Sequence, residues 1–389
     1  MSQTWNQQVV KKENKALVLT TIKEKAPISR ATIAQLTGLN KGTVSSLVSE
    51  LLAEKLITES GTGKSSGGRR PVMLLLNEVA GFTISVELGV NNILAVLTNL
   101  RGQIVSEKNI HFSEQNLDDV LPKLYQVIDQ LRVEAPISPY GIVGIGVGVP
   151  GVVSTIGEVL LAPNLGWKKV PLKQLLVDHY QIPVIVENEA NAGAYGEKVY
   201  GAGQEANEVV YASISTGIGV GLILDGKLYK GLKGFSGELG HMTIEKDGLD
   251  CQCGNKGCWE LYASENALLK QAKLAGFADI TTEKLIEAAE QQDPQALSLF
   301  DKLGDYIGVG ITNILHIFNP EQVIIGNSIQ QAERYILPAI KQRIEQHAIG
   351  FNKGDVHIQT SQLHKYSTTM GMAAFTIEEF FQKTNIHLN

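Results

Sequence analysis

The sequence predicts an α/β protein that begins with a helical head and continues as a two-lobed body. Three observations support this fold class. The first sixty residues show the apolar spacing of amphipathic helices, whereas buried-strand patterns begin at Gly81. The strand hairpin that follows Gly81 has a counterpart from Val209 onward. Two similar α/β units in tandem indicate two lobes around a cleft.

The composition is that of a globular protein with more than one domain. The chain has 389 residues, of which 43% are hydrophobic and 19% are charged. No run is long and apolar enough to cross a membrane, and the N-terminus shows no signal-peptide pattern. Because its few cysteines are expected to be reduced, we predict a cytoplasmic protein with no membrane partner.

Charge is distributed unevenly along the chain. Residues 1–75 carry 11 Lys and Arg against 5 Asp and Glu, whereas the remainder carries 23 against 35. A basic head on an acidic body suggests that the head meets a polyanion. A solvated basic surface explains the same distribution equally well.

The head contains three predicted helices, the first from Lys12 to Lys25. Ser29 is expected to cap the second helix and Asn40 the third. The third helix carries apolar residues at i, i+3, i+4 and i+7 spacing, and a short glycine-containing turn precedes it, which is the helix-turn-helix pattern. A generic three-helix bundle is the alternative. The outward polar residues predicted to contact DNA are Lys41, Thr43, Ser45 and Ser46.

A glycine- and serine-rich tip follows the third helix. It runs from Gly61 to Pro71 between a candidate strand at Leu56-Ile57-Thr58 and an apolar run from Val72 to Leu76. Strand, basic tip and strand form a wing, in which Arg69 and Arg70 suit phosphates or a narrow minor groove. A flexible linker that happens to hold two arginines is the alternative.

All three cysteines of the chain lie in one short segment. They are Cys251, Cys253 and Cys258, and His241 stands just upstream. Three thiolates and one imidazole have the ligand number and type of a structural zinc site, and a Cys-x-Cys pair cannot readily close a disulfide. Three buried cysteines beside an unrelated histidine are the other interpretation.

The residues around this segment carry a family resemblance. The run Gly234-Phe235-Ser236-Gly237-Glu238-Leu239-Gly240-His241, the cysteines and then Trp259-Glu260 resemble the zinc and sugar signature of the ROK family, which contains repressors and sugar kinases. The resemblance implies that His241 ligates zinc and that Glu238, His241 and Glu260 touch sugar hydroxyls. It also implies the actin-like ATPase fold of sugar kinases from about Gly81 to the C-terminus.

Two further segments resemble sugar-binding parts of the family. In Glu187 to Glu197, the resemblance implies that Asn188 binds sugar, while Glu189 stands where kinases have their catalytic Asp. Asn164, in Ala162-Pro163-Asn164-Leu165-Gly166-Trp167, lies where the family has a sugar loop. An Asx turn accounts for Asn164 nearly as well.

The nucleotide elements depart from the kinase pattern. Family kinases have Asp-x-Gly-Gly-Thr-Lys after the first strand, where this chain has Glu87-Leu88-Gly89-Val90-Asn91-Asn92. Gly326-Asn327-Ser328 departs from the Gly-Gly expected at an adenosine pocket, whereas Ser215 to Gly221 remains kinase-like. We therefore predict a site that binds sugar, with no catalytic residues and no ATP.

These features predict a sugar-responsive transcriptional repressor. The resemblance is strongest to the xylose-responsive repressors of the family, over 61–76, 187–197 and 231–264. It implies D-xylose as inducer and an operator of xylose-utilisation genes as target. We expect a homodimer that places two recognition helices on a palindromic operator. An ATP-dependent sugar kinase with an added DNA-binding head is the competing hypothesis, and an activator is a third.

We predict four segments. Residues 1–62 form the helix-turn-helix domain, 63–78 the wing and linker, 79–195 the N-terminal α/β lobe, and 196–389 the C-terminal lobe with the zinc site. This division leaves room for the C-terminal helix to pack back on the N-terminal lobe. His316, in the apolar helix Ile311 to Phe318, is predicted to lie in the core.

Overall fold

Side-chain caps begin two helices of the head, in a computed structural model that describes residues 7–62, 71–350 and 356–384. The Ser29 hydroxyl accepts the Thr32 backbone N–H at 3.2 Å, and Asn40 Oδ1 accepts that of Thr43 at 2.8 Å. Both predicted caps are confirmed. The helices are α1 (Gln7–Lys25), α2 (Arg30–Thr37) and α3 (Lys41–Ala53).

A small antiparallel sheet completes the head. Strands β2 (Ile57–Thr62) and β3 (Val72–Leu76) pair antiparallel, and β1 (Ile28–Ser29) pairs with the other edge of β3. The apolar face of α3 is buried beneath this sheet and α1. The predicted tip residues Arg69 and Arg70 lie outside the described part of the chain.

The N-terminal lobe is built on a mixed sheet of order β11-β7-β4-β5-β6. β4, β7 and β11 run parallel, and β5 and β6 extend the sheet antiparallel. A separate three-stranded sheet, β8 to β10, follows β7. The strands are β4 (Phe82–Leu88), β5 (Asn92–Asn99), β6 (Ile104–His111), β7 (Ile142–Val149), β8 (Val152–Val153), β9 (Val159–Ala162), β10 (Trp167–Val170) and β11 (Val184–Asn188). The helices are α4 (Leu117–Glu134), α5 (Leu172–Tyr180) and α6 (Glu189–Tyr200).

The C-terminal lobe repeats this plan with a sheet of order β14-β13-β12-β15-β16. Its helices bury one large apolar cluster against the sheet. The strands are β12 (Val209–Ile214), β13 (Ile218–Leu224), β14 (Lys227–Leu228), β15 (Gln322–Gly326) and β16 (His357–Thr360). The helices are α7 (Glu260–Ala263), α8 (Glu265–Leu274), α9 (Thr282–Glu290), α10 (Pro294–Phe318), α11 (Glu333–His347) and α12 (Ser367–Thr384).

The last helix returns to the N-terminal lobe. α12 crosses α6 at two glycines that let the backbones approach: a Cβ on Gly371 would lie 1.8 Å from the Ala192 carbonyl oxygen, and one on Gly196 would lie 2.2 Å from that of Ser367. On its other side α12 lies against β7, where Gly146 meets Met372. The two helices therefore pack backbone to backbone and are held in one fixed relation.

One sequence prediction is wrong in this region. His316 is exposed near the end of α10, and its Nε2 accepts the Ile349 backbone N–H at 3.2 Å. Among the described residues, no helix combines the length and the apolar character needed to cross a membrane.

Candidate functional site

The three cysteines and the histidine converge on one point of the C-terminal lobe. One side-chain donor atom from each of His241, Cys251, Cys253 and Cys258 lies within 4.8 Å of the other three. Cys251 Sγ is 3.7 Å from His241 Nδ1, and Cys253 Sγ is 3.7 Å from Cys258 Sγ. Ligands at zinc–sulfur distances of 2.3 Å in a tetrahedron lie about 3.8 Å apart. The donor types and spacings therefore fit a four-coordinate zinc ion.

The neighbouring tryptophan anchors this loop to the core. Trp259 is fully buried, its Nε1 donates to the Tyr306 carbonyl at 2.8 Å, and its backbone N–H donates to that of Met242 at 2.9 Å. The loop is thus held at both sides of the cysteine segment. Its position relative to the β12–β13 sheet follows from packing as well as from any bound metal.

Two carboxylates stand beside His241. Glu260 Oε1 is 3.2 Å from His241 Nδ1, and in the metal-free chain this hydrogen bond raises the pKa of His241. Burial raises the pKa of Glu238, which also feels the charges of both His241 and Glu260. The three residues that the family resemblance assigned to sugar hydroxyls therefore share one location. Since Nδ1 faces the cysteines, Nε2 is the ring nitrogen left for a ligand.

Most of the hydrogen-bonding capacity of the Asn188 side chain is used within the protein. Its Oδ1 accepts the backbone N–H groups of Ala190 and Asn191 at 2.9 and 3.0 Å, which caps α6, and its Nδ2 donates to the Gly151 carbonyl at 2.8 Å. One amide hydrogen remains for a ligand. Asn164 is exposed in a 3₁₀ turn after β9, and the end of β9 packs on the same Gly151.

Glu189 and Glu87 place two further carboxyl groups in the cleft between the lobes. Burial, with a contribution from Glu238, raises the pKa of Glu189 to about 7. Burial, with a contribution from Glu189, raises the pKa of Glu87 to about 8. A carboxyl group whose pKa lies near neutral pH is partly protonated, so it can accept hydrogen bonds from sugar hydroxyls and can also donate to them.

Polar residues of α3 form a second candidate site on the head. Lys41, Ser45 and Ser46 are exposed and Thr43 is half-buried, while the apolar residues of the same helix face the core. The capped N-terminus of α3 is exposed as well. This face has the polarity and side-chain size that suit the N-terminal half of a recognition helix.

In each of the three predicted nucleotide elements, a polar group forms a hydrogen bond within the protein. In the β4–β5 turn, the Gly89 N–H donates to the Asn92 carbonyl at 2.8 Å. At the end of β15, Asn327 has φ +69° and ψ −159°, a region almost confined to glycine, and its side chain bonds the Ser328 N–H and the Ser213 hydroxyl. In the Ser215–Gly221 segment, the Ser215 N–H donates to the Gly217 carbonyl at 3.0 Å, and the residues from Ile218 onward belong to β13.

Two residues near the site were not assigned from sequence. Glu187 is buried and accepts the Asn188 N–H at 2.9 Å and the Asn191 side-chain amide at 3.2 Å, and it pairs with Lys230 of the C-terminal lobe. Glu187 stood inside the Glu187 to Glu197 motif and was detectable there. Lys230 had no local signal, because its partner lies 43 residues away in the other lobe.

Comparison with known proteins places this architecture in a family. The ROK family matches residues 83–379. A xylose repressor of Bacillus spizizenii is 42% identical over 96% of this chain and 97% of its own length. A solved ROK family transcriptional regulator, described as a homologue of the E. coli MLC protein, is 30% identical and covers 97% of this chain and 98% of its own, with a TM-score of 0.83.

A solved ROK family glucokinase from Streptomyces griseus, in complex with glucose and AMPPNP, is also 30% identical, with a TM-score of 0.71. It covers 76% of this chain and 99% of its own. The actin-like, sugar-kinase type of body is therefore confirmed, and the glucokinase lacks a counterpart to about a quarter of this chain. The chain belongs to the ROK family, as its cysteine and glutamate motifs predicted.

Proposed function

We propose that this protein is a sugar-responsive transcriptional repressor released from its operator by D-xylose. One observation carries the proposal: the similarity to proteins named xylose repressors extends over 96% of the chain, head included. A fold of this type serves kinases and regulators alike, so the added head is the feature that separates them. A repressor of this kind works on DNA in the cytoplasm.

The head is proposed to be a winged helix-turn-helix. α3 enters the major groove, where Lys41, Thr43, Ser45 and Ser46 meet bases and phosphates, and the β2–β3 hairpin is the wing whose tip carries Arg69 and Arg70. Two copies in a homodimer engage the half-sites of a palindrome. The division at residues 62, 78 and 195 is part of the same proposal.

The sugar is proposed to bind between the lobes. The carboxyl groups of Glu189, Glu238 and Glu260 take hydroxyl hydrogens, and His241 Nε2 donates a hydrogen bond. Asn188 offers its remaining amide hydrogen, and Asn164 approaches from the turn after β9. A structural zinc ion held by His241, Cys251, Cys253 and Cys258 fixes the histidine ring and keeps the loop in place.

We propose that ATP chemistry is absent. In the first phosphate loop the Gly89 N–H is bonded to the Asn92 carbonyl, and the Asn327 side chain stands where kinases present glycine backbone. Glu189 in place of Asp moves the carboxylate by a methylene. The kinase-like sequence of Ser215–Gly221 and the kinase relatives favour a sugar kinase as the second candidate, which ADP release with xylose or glucose would test.

Fluorescence anisotropy of labelled operator DNA tests the proposal. The protein is titrated onto DNA carrying a palindromic candidate operator, and then D-xylose, L-arabinose and D-glucose are added with and without ATP. Release by xylose alone, independent of ATP, is expected. Tight binding that no sugar alters contradicts xylose as inducer, and ADP release above background contradicts the non-enzyme assignment.

A further inference from the structure

The hydrophobic core of the head is completed by residues of the body. Tyr140, Phe380 and Phe381, together the aromatic joint, pack against the head cluster that contains Val48 and Leu74. The same three residues pack against a body cluster of Ala80, Leu100 and Val143. The Tyr140 and Phe380 rings meet edge to face with centroids 5.1 Å apart. The aromatic joint therefore belongs to both cores at once.

The aromatic joint also touches the end of the proposed recognition helix. The Tyr140 hydroxyl donates to the Glu54 carbonyl at 3.0 Å, and Glu54 is the C-cap residue of α3. The Glu54 carboxylate pairs with Lys15 of α1 at 2.5 Å, and this lysine is only 1% exposed. One body hydroxyl thus reaches the residue that ties α1 to α3. A tilt of the body at Tyr140 must displace α3 or break this hydrogen bond.

The opposite end of α12 lies at the proposed sugar site. The Thr368 hydroxyl donates to the backbone carbonyl of Glu189, the first residue of α6, at 3.3 Å. Farther along, Tyr195 of α6 stacks on Phe375 at 4.4 Å, and its hydroxyl donates to Glu378 at 2.6 Å. Together with the glycine crossing of α6 and α12, these contacts make the helix pair one rigid body.

From these contacts we infer that the α6–α12 pair couples sugar occupancy to head orientation, and that Tyr140 and Phe380 are positioning residues of the recognition helix. Sugar bound at the N-terminus of α6 shifts the pair as a unit. From Thr368 to Phe380 α12 spans about 18 Å, enough to carry that shift to the aromatic joint. The coupling part of the inference rests on the proposed function.

The test uses Tyr140→Phe and Phe380→Ala in the full chain. The matched control is Tyr180→Phe, because its hydroxyl also donates to a backbone carbonyl, that of Tyr125 at 3.3 Å, but within the N-terminal lobe. Each protein is assayed for xylose affinity by calorimetry and for operator affinity with and without saturating xylose. The ratio of the two operator affinities is the coupling.

Both variants are expected to bind xylose within twofold of wild type but to lose coupling by about three- to tenfold, the worth of one hydrogen bond or more. The control should keep wild-type coupling. Unchanged coupling in Tyr140→Phe overturns the transmission role, even if Phe380→Ala perturbs head folding. If the wild type itself shows no response to xylose, the proposed inducer fails.

A second measurement needs no sugar and tests the positioning role by itself. Operators with the half-site spacing changed by one and two base pairs are compared with the parent operator. A head held at a fixed angle discriminates strongly against altered spacing, so both aromatic-joint variants should discriminate at least threefold less than the control. Equal discrimination in wild type, variants and control refutes the positioning role.

Discussion

The polar groups on the two sides of the cleft differ in how much hydrogen-bonding capacity they keep for a ligand. On the proposed sugar side, His241, Glu238 and Glu260 are held in place by the fold but keep hydrogen-bonding capacity for a ligand. On the nucleotide side, the Gly89 N–H and the Asn327 side chain bond to neighbouring protein atoms. A polar group that is already satisfied gains little from a ligand. This difference agrees with the proposal that the body binds a sugar and does not bind ATP.

The largest expected effect comes from the cysteine loop. Cys253→Ser should remove one bound zinc ion per chain and lower xylose affinity by about 100-fold, because His241 is then no longer oriented by the metal. Metal content by mass spectrometry and xylose affinity by calorimetry measure both effects. Lys256→Ala is the control in the same loop, since this lysine only pairs with the exposed Asp250. Full xylose affinity in a zinc-free Cys253→Ser protein refutes the role of the metal.

The next effect concerns the carboxylate beside the histidine. Glu260→Gln keeps the size of the side chain but removes a charged acceptor, so xylose affinity should fall about 10- to 100-fold. Zinc content should remain one per chain, which separates this effect from loss of the loop. Glu205→Gln, at an exposed position, is the control. Equal affinity of the two variants would remove Glu260 from the sugar site.

Local sequence patterns predicted several strands and the clustering of the cysteines well. The apolar run from Val72 to Leu76 is β3, and the strand patterns predicted after Gly81 and from Val209 begin with Phe82–Leu88 and Val209–Ile214, because buried strands are continuous apolar runs with clear ends. The cysteines were found because their ligand atoms come from one short loop. Site residues that come from one short segment can therefore be recognised from the sequence of that segment.

Contacts between segments that are far apart in the chain cannot be recognised in this way. The pairing of Glu187 with Lys230 and the contact of Tyr140 with Glu54 join residues 43 and 86 positions apart. His316 was predicted from the apolar composition around it. His316 follows the buried Gly308 and Thr312 at four-residue spacing, but it lies in the last turn of α10 beside the exposed Ile317, where the buried face of the helix has ended.

A smaller effect should appear on the nucleotide side. Asn327→Ala and Asn327→Gly both remove the side-chain hydrogen bonds, but only glycine adopts φ +69° and ψ −159° without strain. The Ala variant should therefore be less stable than the Gly variant by about 1–2 kcal/mol, seen as a melting temperature lower by about 3 °C. Differential scanning fluorimetry measures the difference. Equal melting temperatures would mean that this backbone is relaxed in solution.

The smallest effect is the pH dependence of stability contributed by the cleft carboxyl groups. Burial raises the pKa of Glu87 from 4.5 to about 8 and that of Glu189 from 4.5 to about 7. Between pH 4.5 and about 8 the folded chain therefore binds more protons than the unfolded chain. Their stabilising contribution is complete below pH 4.5 and is lost as the pH rises to about 8. Glu87→Gln cannot ionise, so its melting temperature should fall by about 2 °C less than that of wild type between pH 5.5 and 8.5. Parallel melting curves for the two proteins would place Glu87 in contact with water, and the carboxyl cluster of the cleft would then be open to solvent before sugar binds.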